Sequence, residues 1–230
     1  MWSLLGVVVP LAIGAALSPT ITVLVISLLS GRSKPRERAG AFALGAIAAF
    51  LFWAAIVLTA VWSAVQSIES DIDKTISDYT KTLDLVLGGG LVAWGFLRLV
   101  QGPKKDAADA TRSHHRFSFG ALATGPMWRQ TTLGFLMQVR NVTTVVLYCA
   151  ALQRISSSQL PLYEQLPVIG LVIAIAMAAV WLPMLVPVRT TDEMKTKLAP
   201  AGEWLKLHGP AITIGASIVF GSYLVVRAFG

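Results

Sequence analysis

A single arginine, Arg140, lies near the middle of an otherwise apolar stretch that runs from about Thr131 to Gln153. An arginine at the centre of a membrane span costs from about 2.5 to above 10 kcal/mol, so it needs a partner, water or a function. Its planar guanidinium offers paired N–H groups that fit a phosphate, sulfate or carboxylate. We therefore expect Arg140 to be buried at the centre of the protein, where it is a candidate for binding an anion, with neutral hydrogen-bonding groups beside it at Asn141, Thr143 and Thr144.

A second polar cluster, Ser18, Pro19, Thr20 and Thr22, interrupts the first apolar stretch. Proline lacks an N–H and clashes with the preceding turn, so the helix should kink or break there. A break near the membrane centre frees backbone groups that must face protein or a water-filled cavity. Two interpretations stay open: the cluster lines a cavity, or the proline only shapes packing. Arg140 likewise either binds an anion or is satisfied by carbonyls of the broken helix opposite.

Other kinds of chemistry have little support in the sequence. Cys149 is the only cysteine, so no intramolecular disulfide forms, and thiol–disulfide carriers, which need a cysteine pair, are excluded. His114 and His115 are adjacent, but nothing nearby completes a metal site. The apolar stretches contain no nucleophile–base pair. We therefore expect no enzyme activity, no metal and no cofactor.

The composition identifies the solvent that surrounds these clusters. Of the 230 residues 55% are apolar and only 13% are charged, whereas a soluble domain carries roughly a quarter charged residues. Long continuous apolar runs indicate transmembrane helices, because barrel strands alternate with a period of two. The net charge of +7 lies in short connectors, so we expect no nucleic acid partner.

Six apolar stretches are predicted to be transmembrane helices. They are Leu4–Leu29, Ala39–Val65, Leu85–Leu97, Thr131–Gln153, Leu166–Val188 and Gly209–Val226. The third is the shortest, and we expect Asp84 and Arg98 at its ends to point outward to the interface. No carboxylate is then evident inside a span. Apolar residues at helical spacing between 68 and 83 predict an amphipathic helix that lies on the membrane or extends the third span.

Smaller features are interpreted as packing. The glycines are expected to let neighbouring helices approach closely, and Pro183 and Pro187 to bend the fifth span near its inner end. These glycines are Gly40, Gly45, Gly88, Gly89, Gly90, Gly215 and Gly221.

Basic residues crowd the first, third and fifth connectors, which places those connectors in the cytoplasm and both termini outside a cell membrane. Three spans, a longer connector and three more spans are typical of a repeated half. Because each half has an odd number of spans, the halves would have inverted topology. We predict an all-α integral membrane protein with one domain, 1–230. Its first repeat is about 1–101, its cytoplasmic connector about 102–130 and its second repeat about 131–230, with broken helices near the midplane.

The motif Ser18-Pro19-Thr20, followed by Ser30-Gly31-Arg32 and a helix with Gly40 and Gly45, resembles the LysE superfamily of small exporters. Members carry an Asn-Pro-type motif at the matching point of the second half. Here Asn141 matches its asparagine, whereas Val142 stands where its proline would be. Within the superfamily the chain looks most similar to the glycolipid-addressing (GAP/Sap) proteins of actinobacteria. That resemblance implies movement of cell-envelope lipids outward.

The leading hypothesis is export of an anionic envelope lipid or lipid-linked headgroup by alternating access. The predicted binding residues are Arg140, Asn141, Ser18, Pro19, Thr20, Thr22, Thr143 and Thr144. A lipid is preferred to an amino acid because an ammonium group needs a carboxylate or carbonyl-rich pocket. Two alternatives stay open, an exporter of a small amino acid or similar solute and a non-transporting scaffold for an envelope-synthesis enzyme. Expected partners are an anionic lipid or small anionic solute and membrane lipids, with a homodimer as an open option.

Overall fold

The computed structural model describes residues 2–31, 34–66, 72–101, 126–158, 160–186 and 191–229, and within these ranges the chain is helical and contains no strand. The helices are α1 Trp2–Ala16, α2 Pro19–Leu29, α3 Pro35–Gln66, α4 Ile72–Gln101, α5 Met127–Val139, α6 Val142–Ser156, α7 Leu162–Ala176, α8 Ala178–Met184 and α9 Thr191–Phe229. Most of the predicted cytoplasmic connector, including His114 and His115, lies outside the described residues.

Three helices are individually long and apolar enough to cross a membrane: α3, α4 and α9. Three helix pairs qualify jointly but are bent, α1–α2 by 56°, α5–α6 by 73° and α7–α8 by 62°. The described chain therefore has three candidate spans, or up to six if each bent pair counts as one. The prediction of a helical membrane protein is confirmed at this level. Helix α4 begins at Ile72 and continues to Gln101, so part of the predicted amphipathic segment extends the third span.

Two of the breaks fall near the middle of their helix pairs, at the polar clusters that the sequence indicated. Ser18 is non-helical (φ −124°, ψ 83°), and Pro19 opens α2 as its first residue, where its missing N–H is tolerated. Asn141 is also non-helical (φ −79°, ψ 83°), although Val142 follows it instead of a proline. The second break is the sharper of the two, so a proline is not needed to produce it.

The third break differs from the prediction. The bend lies at Met177, whereas Pro183 is inside α8 and Pro187 lies outside the described residues. The indole Nε1 of Trp181 donates a hydrogen bond to the carbonyl of Ala174, 2.8 Å away. This carbonyl belongs to the last turn of α7, where helix acceptors lack intrahelical partners. Trp181 therefore satisfies a group that the bend exposes.

Glycines allow two helix pairs to pack with their backbones in contact. A Cβ at Gly88 would lie 2.7 Å from the carbonyl oxygen of Gly221, and one at Gly95 would lie 3.0 Å from Ile218. The later residue of α4, Gly95, contacts the earlier residue of α9, Ile218, so the two helices are antiparallel. Similarly, a Cβ at Gly45 of α3 would clash with the backbone of α5. The predicted close-approach role holds at these sites.

Four other glycines do not have this role. Nothing lies within 4 Å of a Cβ built at Gly40, Gly89, Gly90 or Gly215. The prediction was wrong there because glycine composition does not reveal which helix face meets a neighbour.

A cluster of buried apolar side chains fills the centre of the bundle. Leu11, Val25 and Leu147 are completely buried and belong to one apolar core formed chiefly by α1, α2, α3 and α6. Large apolar side chains such as Leu207 and Val226 are more than 70% exposed on the outer surface. Such a surface suits contact with lipid. The two central breaks are buried at Ser18 and Thr144, whereas Leu17 and Val142 beside them are exposed.

Candidate functional site

The breaks of α1–α2 and α5–α6 meet and are hydrogen-bonded to each other. Asn141 donates from Nδ2 to Ser18 Oγ over 2.7 Å. Thr144 donates from Oγ1 to the carbonyl oxygen of Ala15 over 2.8 Å. In an unbroken helix this carbonyl would accept from the N–H of residue 19, but that residue is Pro19. Thr144, which is 1% exposed, therefore supplies the hydrogen that the proline lacks.

A third helix joins this junction through a buried hydroxyl. Thr143 Oγ1 of α6 lies 3.1 Å from Ser217 Oγ of α9, and both residues are buried. Ser217 donates its hydrogen to the carbonyl of Thr213 over 2.8 Å, so Thr143 is the donor between the two hydroxyls. Gly209, two turns earlier on α9, packs against Pro19. Helix α9 is thus fixed to both breaks.

The predicted site residues are only partly brought together. Ser18, Asn141, Thr143 and Thr144 form the hydrogen-bonded junction, and Pro19 is buried at its edge. Thr22 donates to the carbonyl of Ser18 within its own helix over 3.2 Å. Thr20 is exposed and makes no hydrogen bond with a described residue. The donors of Asn141, Thr143 and Thr144 are therefore engaged by protein in this conformation.

Ser217 was missed by the sequence analysis. A weak signal was present, because Gly209, Thr213 and Ser217 are spaced four residues apart and share one face of the sixth span. Its partner Thr143 is 74 residues away in the chain, so spacing within α9 could not identify the contact.

Arg140 ends α5 at the second break, and its side chain is exposed. We expected a buried arginine, and the structure differs on this point. Arg140 makes no side-chain hydrogen bond or ion pair with the residues that the structure describes. The carbonyl of Ala15 at the opposite break accepts from Thr144 instead. Leu136 and Val142, close to it in the chain, are 51% and 44% exposed, so exposed apolar residues flank Arg140 in the sequence.

A buried carboxylate was also missed. Asp84 is 0% exposed, and Arg154 of α6 donates to it from Nη2 in an ion pair. The expectation that Asp84 points outward to the interface was wrong, and so was the inference that no span contains a carboxylate. The second oxygen of Asp84, Oδ1, is buried and has no hydrogen-bond partner among the described residues.

Comparison with known families gives one result. The model of the family described as Sap, sulfolipid-1-addressing protein, matches residues 8–229, which is nearly the whole chain. The chain belongs to the Sap family. The predicted resemblance to the GAP/Sap group is thereby confirmed, whereas the wider LysE superfamily stays a resemblance. Neither the curated proteins nor the solved structures gave a match to this Sap-family chain. The family description suggests a role in addressing or exporting lipid.

Proposed function

We propose that this Sap-family protein exports an anionic envelope lipid, or a lipid-linked headgroup, across the cell membrane. In this proposal Arg140 binds the negative charge of the headgroup. The observation that carries the proposal is the position of Arg140, exposed and without a described protein partner at the point where two broken spans meet. A guanidinium near the centre of a span requires a counter-charge or water, and an anionic substrate supplies the counter-charge.

The two breaks support a transport site because their freed backbone groups need partners that lipid cannot offer. Discontinuous helices near the midplane form substrate sites in many secondary transporters. Here Thr144 and Asn141 satisfy part of that demand from the opposite break. A movement of one broken pair relative to the other would exchange these bonds, so the junction is a suitable place for a conformational switch.

The surroundings of Arg140 favour a lipid over a small hydrophilic solute. Leu136 and Val142 are both more than 40% exposed. A headgroup at Arg140 could therefore keep its acyl chains on the apolar outer surface without entering the packed core. A small zwitterion would gain nothing from this surface. Asp84 does not change the preference, because it is fully buried and already paired with Arg154.

The alternating-access part of the proposal treats residues 1–101 and 131–230 as inverted halves that rock against each other. The antiparallel packing of α4 against α9 fits this arrangement, since the third and sixth spans would be equivalent and oppositely directed. The basic connectors would face the cytoplasm, and both termini would be outside.

The function is tested by flux in liposomes that contain the purified wild-type protein. We expect movement of a fluorescent anionic phospholipid between leaflets, and no movement of a labelled neutral phospholipid or of amino acids. Flux of amino acids without flux of lipid would contradict the proposal and favour a solute exporter. Absence of all flux, together with stable association with another membrane protein, would favour a scaffold.

A further inference from the structure

A second basic cluster lies at the end of the bundle away from the basic connectors, where the predicted third span begins and where α6 and α9 end. It contains the buried pair of Asp84 and Arg154. Arg227, in the last turn of α9, donates from Nη1 to the hydroxyl oxygen of Tyr223 over 3.0 Å. Gly88, one turn after Asp84, packs against Gly221 and Leu224 of α9, so Tyr223 and Arg227 lie on the segment of α9 next to the Asp84–Arg154 pair. Residues from three helices therefore converge on one spot.

The charges in this cluster do not balance. Asp84 neutralises one guanidinium, while Arg227 forms no ion pair with an acidic residue in the described part of the chain. One positive charge is left over beside Arg154, whose side chain is only 18% exposed. Like charges repel more strongly where water is scarce. A single bound anion would remove that repulsion.

The hydrogen-bonding groups also suit an anion. Tyr223 accepts a hydrogen bond from Arg227, so its own O–H hydrogen can be donated to a third group. Arg227 has further N–H groups in a planar fork, which match two oxygens of a phosphate, sulfate or carboxylate. Tyr223 is 38% exposed, so an anion can reach this position from outside the protein.

We infer that Arg154, Arg227 and Tyr223 form a second anion-binding site for the phosphate, sulfate or carboxylate of a lipid headgroup, with Asp84 as the positioning residue for Arg154. Anion binding here is independent of transport. A role of this site as a second binding position for the exported lipid rests on the proposed function. Arg154 follows Arg140 by 14 residues, which is about 20 Å of helix at 1.5 Å per residue. A headgroup moving between the two sites would thus travel from the middle of a span to its end.

The site is tested by native mass spectrometry of the detergent-solubilised protein during titration with phosphatidylglycerol, with phosphatidylcholine as the neutral lipid. We expect Arg227→Gln to weaken retention of phosphatidylglycerol at this site about tenfold or more, because a charge-assisted hydrogen bond is lost. Tyr223→Phe keeps all charges and should weaken it several-fold. Both variants leave the Asp84–Arg154 pair intact, so we expect both to fold. Thermal denaturation of each variant checks this.

Arg129→Gln is the matched control, because it removes an exposed arginine near the start of α5. It should bind phosphatidylglycerol like the wild type. If Arg227→Gln and Tyr223→Phe also bind like the wild type, the second site does not exist. Competition by inorganic phosphate would show that the headgroup charge is recognised by itself; failure to compete, with loss in both variants, would show that the intact lipid is required. A flux defect confined to Arg140 variants leaves the proposed function standing even if this site fails.

Discussion

Replacing Asp84 with asparagine should destabilise the protein strongly, because it keeps the shape of the side chain but leaves Arg154 without a counter-charge. Breaking a buried ion pair by removing one partner costs about 3–5 kcal/mol. Asp84 is fully buried, but the Arg154 side chain is 18% exposed and asparagine retains one acceptor. We therefore expect the low end of that range, about 3 kcal/mol. For a chain of this size this lowers the midpoint of thermal unfolding by about 6–12 °C.

Two further variants make the result interpretable. Glu37→Gln breaks an exposed pair with Lys34, whose side chains are 51% and 64% exposed, and should change the midpoint by no more than a few degrees. Asp84→Leu combined with Arg154→Met removes both charges and should recover most of the loss, since apolar pairs often replace buried ion pairs without penalty. Unfolding of Asp84→Asn at the same temperature as Glu37→Gln would contradict a stabilising role for the buried Asp84–Arg154 pair.

Two other variants address the junction and the helix packing. Thr144→Val should cost about 1–3 kcal/mol, because it leaves the buried carbonyl of Ala15 without a donor. Thr132→Val, which removes an exposed hydroxyl bonded only within its own helix, should cost less in the same thermal denaturation assay. Gly45→Val should abolish the monodisperse peak in size-exclusion chromatography, because its side chain would meet the backbone of α5. Gly40→Val, where nothing lies within 4 Å, should keep that peak, and equal behaviour of the two glycine variants would contradict the packing described for α3 and α5.

The helical membrane class could be predicted because it depends on local properties. Apolar runs of sufficient length and a low content of charge identify candidate spans without knowledge of any contact. The first break could also be predicted, since Pro19 removes a hydrogen bond in a known register. The sequence does not reveal that Thr144, 129 residues away from Ala15 in the chain, donates the hydrogen bond that the Ala15 carbonyl would otherwise lack.

The second and third breaks could not be located from proline positions in the sequence. Asn141 interrupts α5–α6 without a following proline, and its side chain bonds to Ser18 on the opposite break. The bend at Met177 lies six residues before Pro183, and Trp181 completes it by reaching back to Ala174. The first of these is stabilised by a contact 123 residues away in the chain and the second by a side chain seven residues further on, and local propensity selects neither backbone conformation. Proline position is therefore an incomplete guide to helix breaks.

The charged residues were predicted least well. Asp84 was placed at an interface because it ends the uninterrupted apolar run, but it pairs with Arg154 70 residues later and is fully buried. Arg140 was expected to be enclosed and is exposed instead. The cost of a charge depends on its partner and its solvent, and neither can be read from the position of the residue in an apolar stretch.

The most direct test of the central claim is the initial rate of anionic phospholipid translocation in liposomes by Arg140→Ala, compared with Arg129→Ala at equal amounts of folded protein. If Arg140 holds the headgroup, its loss removes charge-assisted hydrogen bonds, and the rate should fall about tenfold or more. The Arg129 variant should keep the wild-type rate, and Arg140→Lys should recover part of it, because lysine keeps the charge but not the planar fork. A wild-type rate in Arg140→Ala would contradict the assignment of Arg140 as the anion-binding residue.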